Sequence, residues 1–362
     1  MELLKNETPR NRITSIDALR AVVLFGILLV HTCNYFGYQV LEPDTFVDSA
    51  INRLITGFLS NRCSTIFSLL FGVSFYLILR NPNNTSLKFA WRCFLLMLIG
   101  ILNKLFYTYD ALMWYGICGM LLVTMRHLSP RNLLLSFLSF RIIDYFLAGF
   151  NLGDMCFGEK VLERYTLDAS LFQIISYKYA IVDYLRIALN GGVLETLSWF
   201  ILGYWFGKTG IIENLENRVK LKFVILFWLV FVINSIYILI AGNSDVLFDI
   251  NIFFATFAYS SLIIYAYYSY KPIRNILVKL EPYGKLGLTN YSMQGIMGVL
   301  LFTIFKLYEF RMSIVISVFV VFYFCQAVFS YIWLSFFRYG PMEYAWRVIT
   351  ERKRIPLRKM KK

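Results

Sequence analysis

Long uninterrupted apolar stretches constrain the fold of this chain more than any other feature of its sequence. Two of the longest are Phe223–Ala241 and Met312–Phe337. A membrane-spanning helix needs about 20 apolar residues, whereas a strand of a membrane barrel needs about 10 residues of alternating polarity. These stretches are too long for barrel strands and do not alternate. They therefore predict an all-α, polytopic bundle of membrane-spanning helices.

The composition agrees with a membrane-embedded chain. Of the 362 residues, 58% are hydrophobic and 16% are charged, against about 45–50% and about 25% in soluble domains. We expect one transmembrane domain over 1–362 with about ten spans. The predicted spans lie near 17–37, 62–79, 90–107, 111–126, 132–150, 192–207, 223–241, 250–270, 286–306 and 312–337.

The net charge of +14 indicates orientation in the membrane. Lysine and arginine concentrate in alternate loops, as they do in cytoplasmic loops of membrane proteins. The pattern predicts a multi-pass membrane protein with cytoplasmic ends at 1–16 and 338–362 and an extracytoplasmic loop at 151–190. Basic loops of this kind face anionic lipids, so membrane lipids are expected partners and nucleic acid is not.

The cysteines do not predict a metal site. The chain has six cysteines, no C-x-x-C pair and only two histidines, so the familiar zinc-ligand spacings are absent. Cys33, Cys63 and Cys156 all fall near the predicted outer face. A disulfide among them is possible on the sequence alone.

Arg20 and His31 are the most informative polar residues. They are eleven positions apart in the first apolar stretch, so a helix turns them to one face, roughly 16 Å apart along its axis. An ionisable side chain at membrane depth is costly and is a candidate functional residue. The alternative role for His31 is a neutral imidazole hydrogen-bonded to a neighbouring helix.

Other polar residues can have a functional or a structural role. Asn290 and Gln294 lie one helical turn apart and either line a polar cavity or bond between helices. Arg141 and Asp144, three positions apart, are expected to neutralise each other. Two local features are expected at helix ends: a capping box at 14–17, and an ion pair at 343–347 in a helix that begins at Gly340-Pro341.

Several motifs resemble the YeiB-like bacterial membrane proteins, a family defined largely as a domain of unknown function. The resemblance covers most of the chain and implies a location in the bacterial inner membrane. It is carried by Ile16–Arg20, Phe25–Val30, Phe67–Gly72, Phe200–Gly210, Leu288–Gln294 and Gly340–Arg347. The chain departs from that family's pattern at Asn103, where a histidine is expected, and at His31, where an asparagine is usual.

The second departure makes the first helix similar to the arginine, ten residues, histidine signature of the acyltransferase-3 family. That resemblance implies a membrane acyltransferase. It would move an acyl group, expected to be acetyl, from cytosolic acyl-CoA to a hydroxyl or amine of a small-molecule or glycan acceptor in the cell envelope or outside the cell. The resemblance implies that His31 is catalytic and that Arg20 lies beside the donor. Acyl-CoA is the implied donor, and no metal is implied.

The remaining candidates follow from charge and polarity. Arg80, Lys88 and Arg92 can contact donor phosphates or simply mark a cytoplasmic loop. Asp110, Asn290 and Gln294 are candidate acceptor-binding residues. Two rival functions stay open: a small-solute transporter, which would use the same polar residues as a pathway, and a non-catalytic membrane protein.

Overall fold

The computed structural model describes residues 13–33, 45–81, 84–104, 110–157, 181–242, 244–307 and 310–359. Within those ranges the chain is helical, with no strand beyond one isolated bridge between Phe337 and Arg358. The helices are α1 Thr14–Cys33, α2 Phe46–Phe58, α3 Arg62–Leu79, α4 Ser86–Asn103, α5 Leu112–Thr124, α6 Pro130–Phe150, α7 Leu152–Phe157, α8 Ile181–Leu189, α9 Gly192–Lys208, α10 Leu215–Arg218, α11 Leu221–Ala241, α12 Asp245–Ser269, α13 Lys271–Lys285, α14 Gly287–Ile304, α15 Met312–Phe336 and α16 Pro341–Glu351.

The all-α membrane fold is confirmed. Seven helical segments of the described chain are long and apolar enough to cross a membrane: Thr14–Cys33, Phe46–Leu79, Ser86–Asn103, Pro130–Cys156, Leu221–Ile240, Val246–Ser269 and Met312–Phe336. The other three predicted spans fall on α5, α9 and α14, which are shorter or less apolar. Ten spans therefore remains a prediction, although each predicted span lies on a helix.

Helix α1 lies at the centre of the bundle and packs against α3, α13 and α15. Most of its apolar positions are buried, including Ala18, Leu24 and Leu28. The close approach of α13 depends on Gly284, where an added Cβ would lie 1.9 Å from the carbonyl oxygen of Asp17. The apolar sequence of the first span is thus explained by contact with protein on several sides.

A second close contact joins α3 to α9. A Cβ on Gly72 would lie 2.0 Å from the Phe200 carbonyl oxygen, and one on Gly203 would lie 2.0 Å from the Leu69 carbonyl oxygen. Small residues let helix backbones approach in membranes, where packing rather than water exclusion drives association. Helix α3 is therefore held between α1 and α9.

Two segments that lie between predicted spans are helices rather than loops. Asp48 lies in one of them, α2, where its carboxylate accepts the backbone N–H of Ser313 at 2.9 Å. The basic segment with Lys271, Arg274, Lys279 and Lys285 forms α13, which packs along α1 and buries Leu277 and Tyr283. The many charged residues of this helix make its apolar face difficult to recognise from the sequence.

The side chains of the expected capping box at 14–17 have other partners in the described structure. Thr14 bonds through its hydroxyl to the hydroxyl of Tyr267 at 2.8 Å, while Asp17 bonds to Arg20. Cys33, Cys63 and Cys156 are free thiols, so none of the possible disulfides among them is formed. Residues 158–180, which make up most of the predicted outer loop at 151–190, lie outside the described residues.

Candidate functional site

Arg20 is anchored at one end of α1. One guanidinium nitrogen donates to Asp17 Oδ1 at 2.8 Å and another to Ser74 Oγ of α3 at 2.6 Å. The Arg20 side chain is 20% exposed and the Asp17 side chain 2%. The carboxylate partly compensates the charge, as the desolvated setting requires. Arg20 is thus a fixed donor of hydrogen bonds rather than a mobile surface cation.

His31 lies on the same face of α1, three turns further along, and meets α14. Its ring lies edge-on to the ring of Tyr291, with 6.0 Å between ring centroids and 70° between ring planes. Tyr291 is buried, and its hydroxyl accepts the backbone N–H of Ala111 at 3.3 Å. The ring contact fixes one wall around the imidazole.

Tyr291 also connects His31 to Asp110. Asp110 lies just before α5, is 2% exposed, and accepts a hydrogen bond from Asn103 Nδ2 at 3.2 Å. Burial raises the pKa of the Asp110 carboxyl to about 6, although hydrogen bonding by Asn103 and Tyr291 favours the ionised form and opposes the rise. Two separately predicted residues, His31 and Asp110, therefore meet on either side of one tyrosine.

Asn290 and Gln294 contribute to a buried network between helices. Asn290 Nδ2 donates to the Tyr283 carbonyl oxygen and to Ser330 Oγ, both at 3.0 Å. Gln294 Nε2 donates to the Tyr283 hydroxyl at 2.7 Å, and Gln326 Nε2 donates to the Asn290 carbonyl oxygen at 3.2 Å. These contacts match the interhelical role, and binding of an acceptor by Asn290 or Gln294 remains a prediction.

The predicted donor-phosphate residues do not converge on Arg20. Arg80 pairs with Glu213 at 2.6 Å and lines a cavity of about 290 Å³ that includes Lys208. Arg80 follows Ser74 by six residues, which turns it about 240° around α3. Since Ser74 contacts Arg20, this cavity lies on the other side of α3.

Lys88 and Arg92 instead contact the C-terminal helix α16. Lys88 pairs with Glu351, and the Arg92 guanidinium lies 4.8 Å from the ring centroid of Trp346. The Trp346 indole N–H donates to the Arg92 carbonyl oxygen at 2.9 Å. Contact of Lys88, Arg92 or Arg80 with a donor phosphate stays a prediction.

Glu343 also differs from its expected role. Instead of pairing with Arg347, its carboxylate accepts the backbone N–H groups of Leu288 and Thr289 at 2.8 and 3.0 Å. It therefore caps the N-terminus of α14, the helix that carries Tyr291. Burial raises the pKa of this carboxyl, and the same hydrogen bonds lower it. Arg347 donates to the Tyr339 hydroxyl at 2.8 Å.

A second ionic cluster joins α6, α9 and α12. Arg141 pairs with Asp144 at 2.8 Å, as its spacing predicts, and with Asp249 of α12 at 2.9 Å. Glu195 of α9 lies within electrostatic range of all three. The one arginine is thus surrounded by three acidic side chains.

Tyr291 is the residue that sequence reasoning missed. It lies inside the recognised motif Leu288–Gln294, but it is one of 25 tyrosines in the chain. Nothing in its neighbouring sequence marks it as a functional residue. Ser74 was missed for the same reason. Only the approach of α3 and α14 to α1 distinguishes these residues from ordinary membrane-helix residues.

The comparisons with known proteins agree with the resemblance of the C-terminal motifs. Residues 206–353 match the family described as "Protein of unknown function (DUF418)". An "Uncharacterized 39.9 kDa protein in amylase 3'region" from Bacillus acidopullulyticus is 28% identical, covering 96% of each chain. "Uncharacterized protein YxaH" from Bacillus subtilis (strain 168) is 26% identical over the full length of both chains. No solved structure is significantly similar.

The chain is thus similar to this family over 206–353, and its described helices are those of a multi-pass membrane protein. The family segment includes α14 with Tyr291 and the capping residue Glu343. Arg20 and His31 precede that segment, within the part of the chain that the two Bacillus relatives cover.

Proposed function

We propose that this protein is a membrane-bound acyltransferase that moves an acyl group from cytosolic acyl-CoA to a hydroxyl or amine at the extracytoplasmic side. The observation that carries the proposal is the position of His31. It shares a face of α1 with Arg20, and its ring packs against Tyr291, which is linked to Asp110. A histidine with a fixed ring wall and a neighbouring carboxylate suits general-base chemistry.

The reaction balances with these groups. The imidazole of His31 takes the proton from the acceptor hydroxyl or amine as its oxygen or nitrogen attacks the thioester carbonyl carbon. The carbon–sulfur bond then breaks, and the imidazolium returns the proton to the leaving thiolate. The products are an ester or amide and free coenzyme A, and no oxidant or metal takes part.

Arg20 is better suited to a single contact with the donor than to binding several phosphate groups at once. Its guanidinium is fixed by Asp17 and Ser74, and the Asp17 carboxylate offsets part of its charge. A fixed guanidinium can still present planar donors to a carbonyl or phosphate oxygen. We assign Arg20 to binding and orienting the donor, and His31 to the transfer step.

The test of the base is transfer of labelled acetyl from acetyl coenzyme A to cell-envelope extract by protein in liposomes. His31→Ala should lower the rate about 10²–10⁴-fold while donor binding persists. His31→Asn should do the same. An Asn variant that is as active as the wild type would refute proton transfer by His31.

Donor binding is tested separately by calorimetric titration with acetyl coenzyme A. Arg20→Lys should weaken binding because lysine lacks the planar fork of donors. Arg131→Lys, at an exposed arginine in the first turn of α6, is the matched control and should bind as the wild type does. No binding by the wild type at millimolar donor would count against acyl transfer altogether.

The proposal includes an inner-membrane location with both termini in the cytoplasm. The lysine and arginine distribution supports this orientation. Reporter fusions after Arg80, Arg131 and Lys208 should report cytoplasm, whereas fusions at Glu159 and Asp245 should report the outside. Two inversions among these sites would overturn the topology.

The second candidate function is transport of a small solute, and the cluster around Arg141 favours it. Three acidic side chains lie around one arginine in or next to the predicted spans, as intramembrane ion or proton pathways often require. If transport is the function, Arg141→Gln should abolish a proton-linked flux in liposomes while His31→Asn preserves it. Label transfer that depends on His31 but not on Arg141 would favour the acyltransferase.

A further inference from the structure

A break in the second long helical segment places Arg62 inside the bundle. Helix α2 ends at Phe58 and α3 begins at Arg62, with Asn61 between them at a positive φ of 60°. A non-glycine residue rarely adopts this left-handed backbone conformation. The turn directs Arg62 toward α12, and the residue is only 5% exposed.

The charge of Arg62 has no carboxylate partner within the described chain. Its nitrogens donate to the Ser60 carbonyl oxygen at 3.1 Å and to Asn251 Oδ1 at 2.6 Å. Its Nε is buried and has no hydrogen-bond partner among the described residues. The titratable groups within electrostatic range are Tyr259 and Cys63, which are neutral at ordinary pH.

This isolation contrasts with two other arginines of the predicted spans, Arg20 and Arg141. Arg20 pairs with Asp17, and Arg141 pairs with two aspartates. Removing the partner of a buried charge is strongly destabilising, because an uncompensated charge remains away from water. A buried arginine surrounded by neutral groups therefore calls for an anion that the described residues do not supply.

We propose that Arg62 binds an oxyanion, namely the phosphate of a membrane lipid, at the break between α2 and α3. The unpaired Nε–H and the nitrogens beside it form the planar fork that suits a phosphate. The Tyr259 hydroxyl, also buried and unpaired among the described residues, is a second available donor. The first turn of α3 adds the positive end of a helix dipole.

The surroundings favour a lipid as the source of the phosphate. Asn251, which holds Arg62, also donates to Ser235 of α11 at 2.8 Å. Helix α11 is mostly exposed along its length, with Ile233 at 58%, and α2 exposes Leu54 at 59%. Apolar side chains this exposed on membrane helices face lipid. The site therefore lies between two lipid-facing surfaces, and it is independent of the acyl-transfer proposal.

The experiment measures thermal unfolding of the full chain in a phosphate-free neutral detergent, with added phosphatidylglycerol as the probe. The wild type should be stabilised in a saturable manner, and Arg62→Gln should bind the lipid about 10- to 100-fold more weakly. Arg53→Gln removes an exposed arginine on α2 and is the matched control for general attraction to anionic lipid. It should respond as the wild type does.

Two further measurements identify the source of the phosphate and control for misfolding of the variant. Arg62→Lys keeps the charge without the fork and should bind with intermediate affinity. A matching response to inorganic phosphate at millimolar concentration would assign the site to a soluble oxyanion instead of a lipid. A wild type that responds to neither probe, or an Arg62→Gln variant that responds as the wild type does, would overturn the proposal.

Discussion

The substitution Tyr291→Phe tests the link between His31 and Asp110 with the loss of one oxygen atom. The phenylalanine ring can keep the edge-on contact with His31, but the hydroxyl that accepts the Ala111 N–H disappears. Asp110 also loses a hydrogen-bonding neighbour that favours its ionised form. A buried donor left without a partner costs about 1–3 kcal/mol.

That cost converts into a measurable shift in melting temperature. Unfolding entropy is about 2.1 cal/mol/K per residue, which gives about 0.8 kcal/mol/K for a chain of 362 residues. A loss of about 1–3 kcal/mol then lowers the unfolding midpoint by about 1–4 °C. Scanning fluorimetry of the detergent-solubilised protein resolves a shift of this size.

The control is Tyr323→Phe, which removes another buried hydroxyl with one backbone partner. Tyr323 donates to the Ala21 carbonyl oxygen at 3.2 Å and packs against Phe25 of α1. Both variants should lose similar stability. Only Tyr291→Phe should slow acetyl transfer, by about tenfold, because orientation of a base by its neighbours contributes part of general-base catalysis.

Two outcomes would refute this reasoning. An unfolding midpoint for Tyr291→Phe equal to that of the wild type would mean that the Ala111 N–H finds another partner and that the hydroxyl is not needed. Equal transfer rates in Tyr291→Phe and Tyr323→Phe would separate Tyr291 from the reaction. A double-mutant cycle with Asp110→Asn then measures the coupling directly, since residues in one network are non-additive.

Three further predictions test the structure itself. The pKa of Asp110 is raised to about 6 from 3.8, so the folded state binds this proton more tightly than the unfolded state does. The stability of the wild type relative to Asp110→Asn should therefore increase as pH falls from 7 through 6 towards 4. Unfolding midpoints measured across that range would show no such trend if the carboxyl were solvated. Glu343→Ala should lower the unfolding midpoint and expose 338–362 to protease, because the Leu288 N–H loses its acceptor; an unchanged digestion pattern would contradict the capping role. Gly203→Leu should prevent stable folding, because its Cβ would overlap the Leu69 carbonyl oxygen, and a monodisperse, wild-type chromatographic profile would contradict the close α3–α9 contact.

Local sequence information was sufficient for features that depend on one helix. Apolar length predicted the all-α membrane fold, and three-residue spacing predicted the Arg141–Asp144 pair, in which nitrogen and oxygen lie 2.8 Å apart. The shared face of Arg20 and His31 follows from helical geometry alone. In each case the interacting residues lie in one element, so no knowledge of neighbouring helices was needed.

Features that depend on distant elements could not be predicted in this way. Lys88 was assigned to topology or to donor binding, but its partner Glu351 lies 263 positions away. Glu343 has a plausible local partner at i+4 and instead caps α14 in space. Spacing rules apply to side chains on exposed helix surfaces. The side chains of Lys88 and Glu343 instead contact residues of other helices.

The geometry of α1 limits how the two proposed roles can be combined. Arg20 and His31 are eleven residues apart, roughly 16 Å along the helix axis. If His31 takes a proton from the acceptor, the thioester carbon lies near His31 and cannot also contact Arg20. Arg20 must then contact a part of the donor remote from the reacting carbon, and the long pantetheine arm of coenzyme A lies between the two. Binding energy from a remote part of a substrate can orient the reacting centre. Truncated donors that keep the acetyl thioester but lack the phosphates should therefore lose their dependence on Arg20 and retain their dependence on His31.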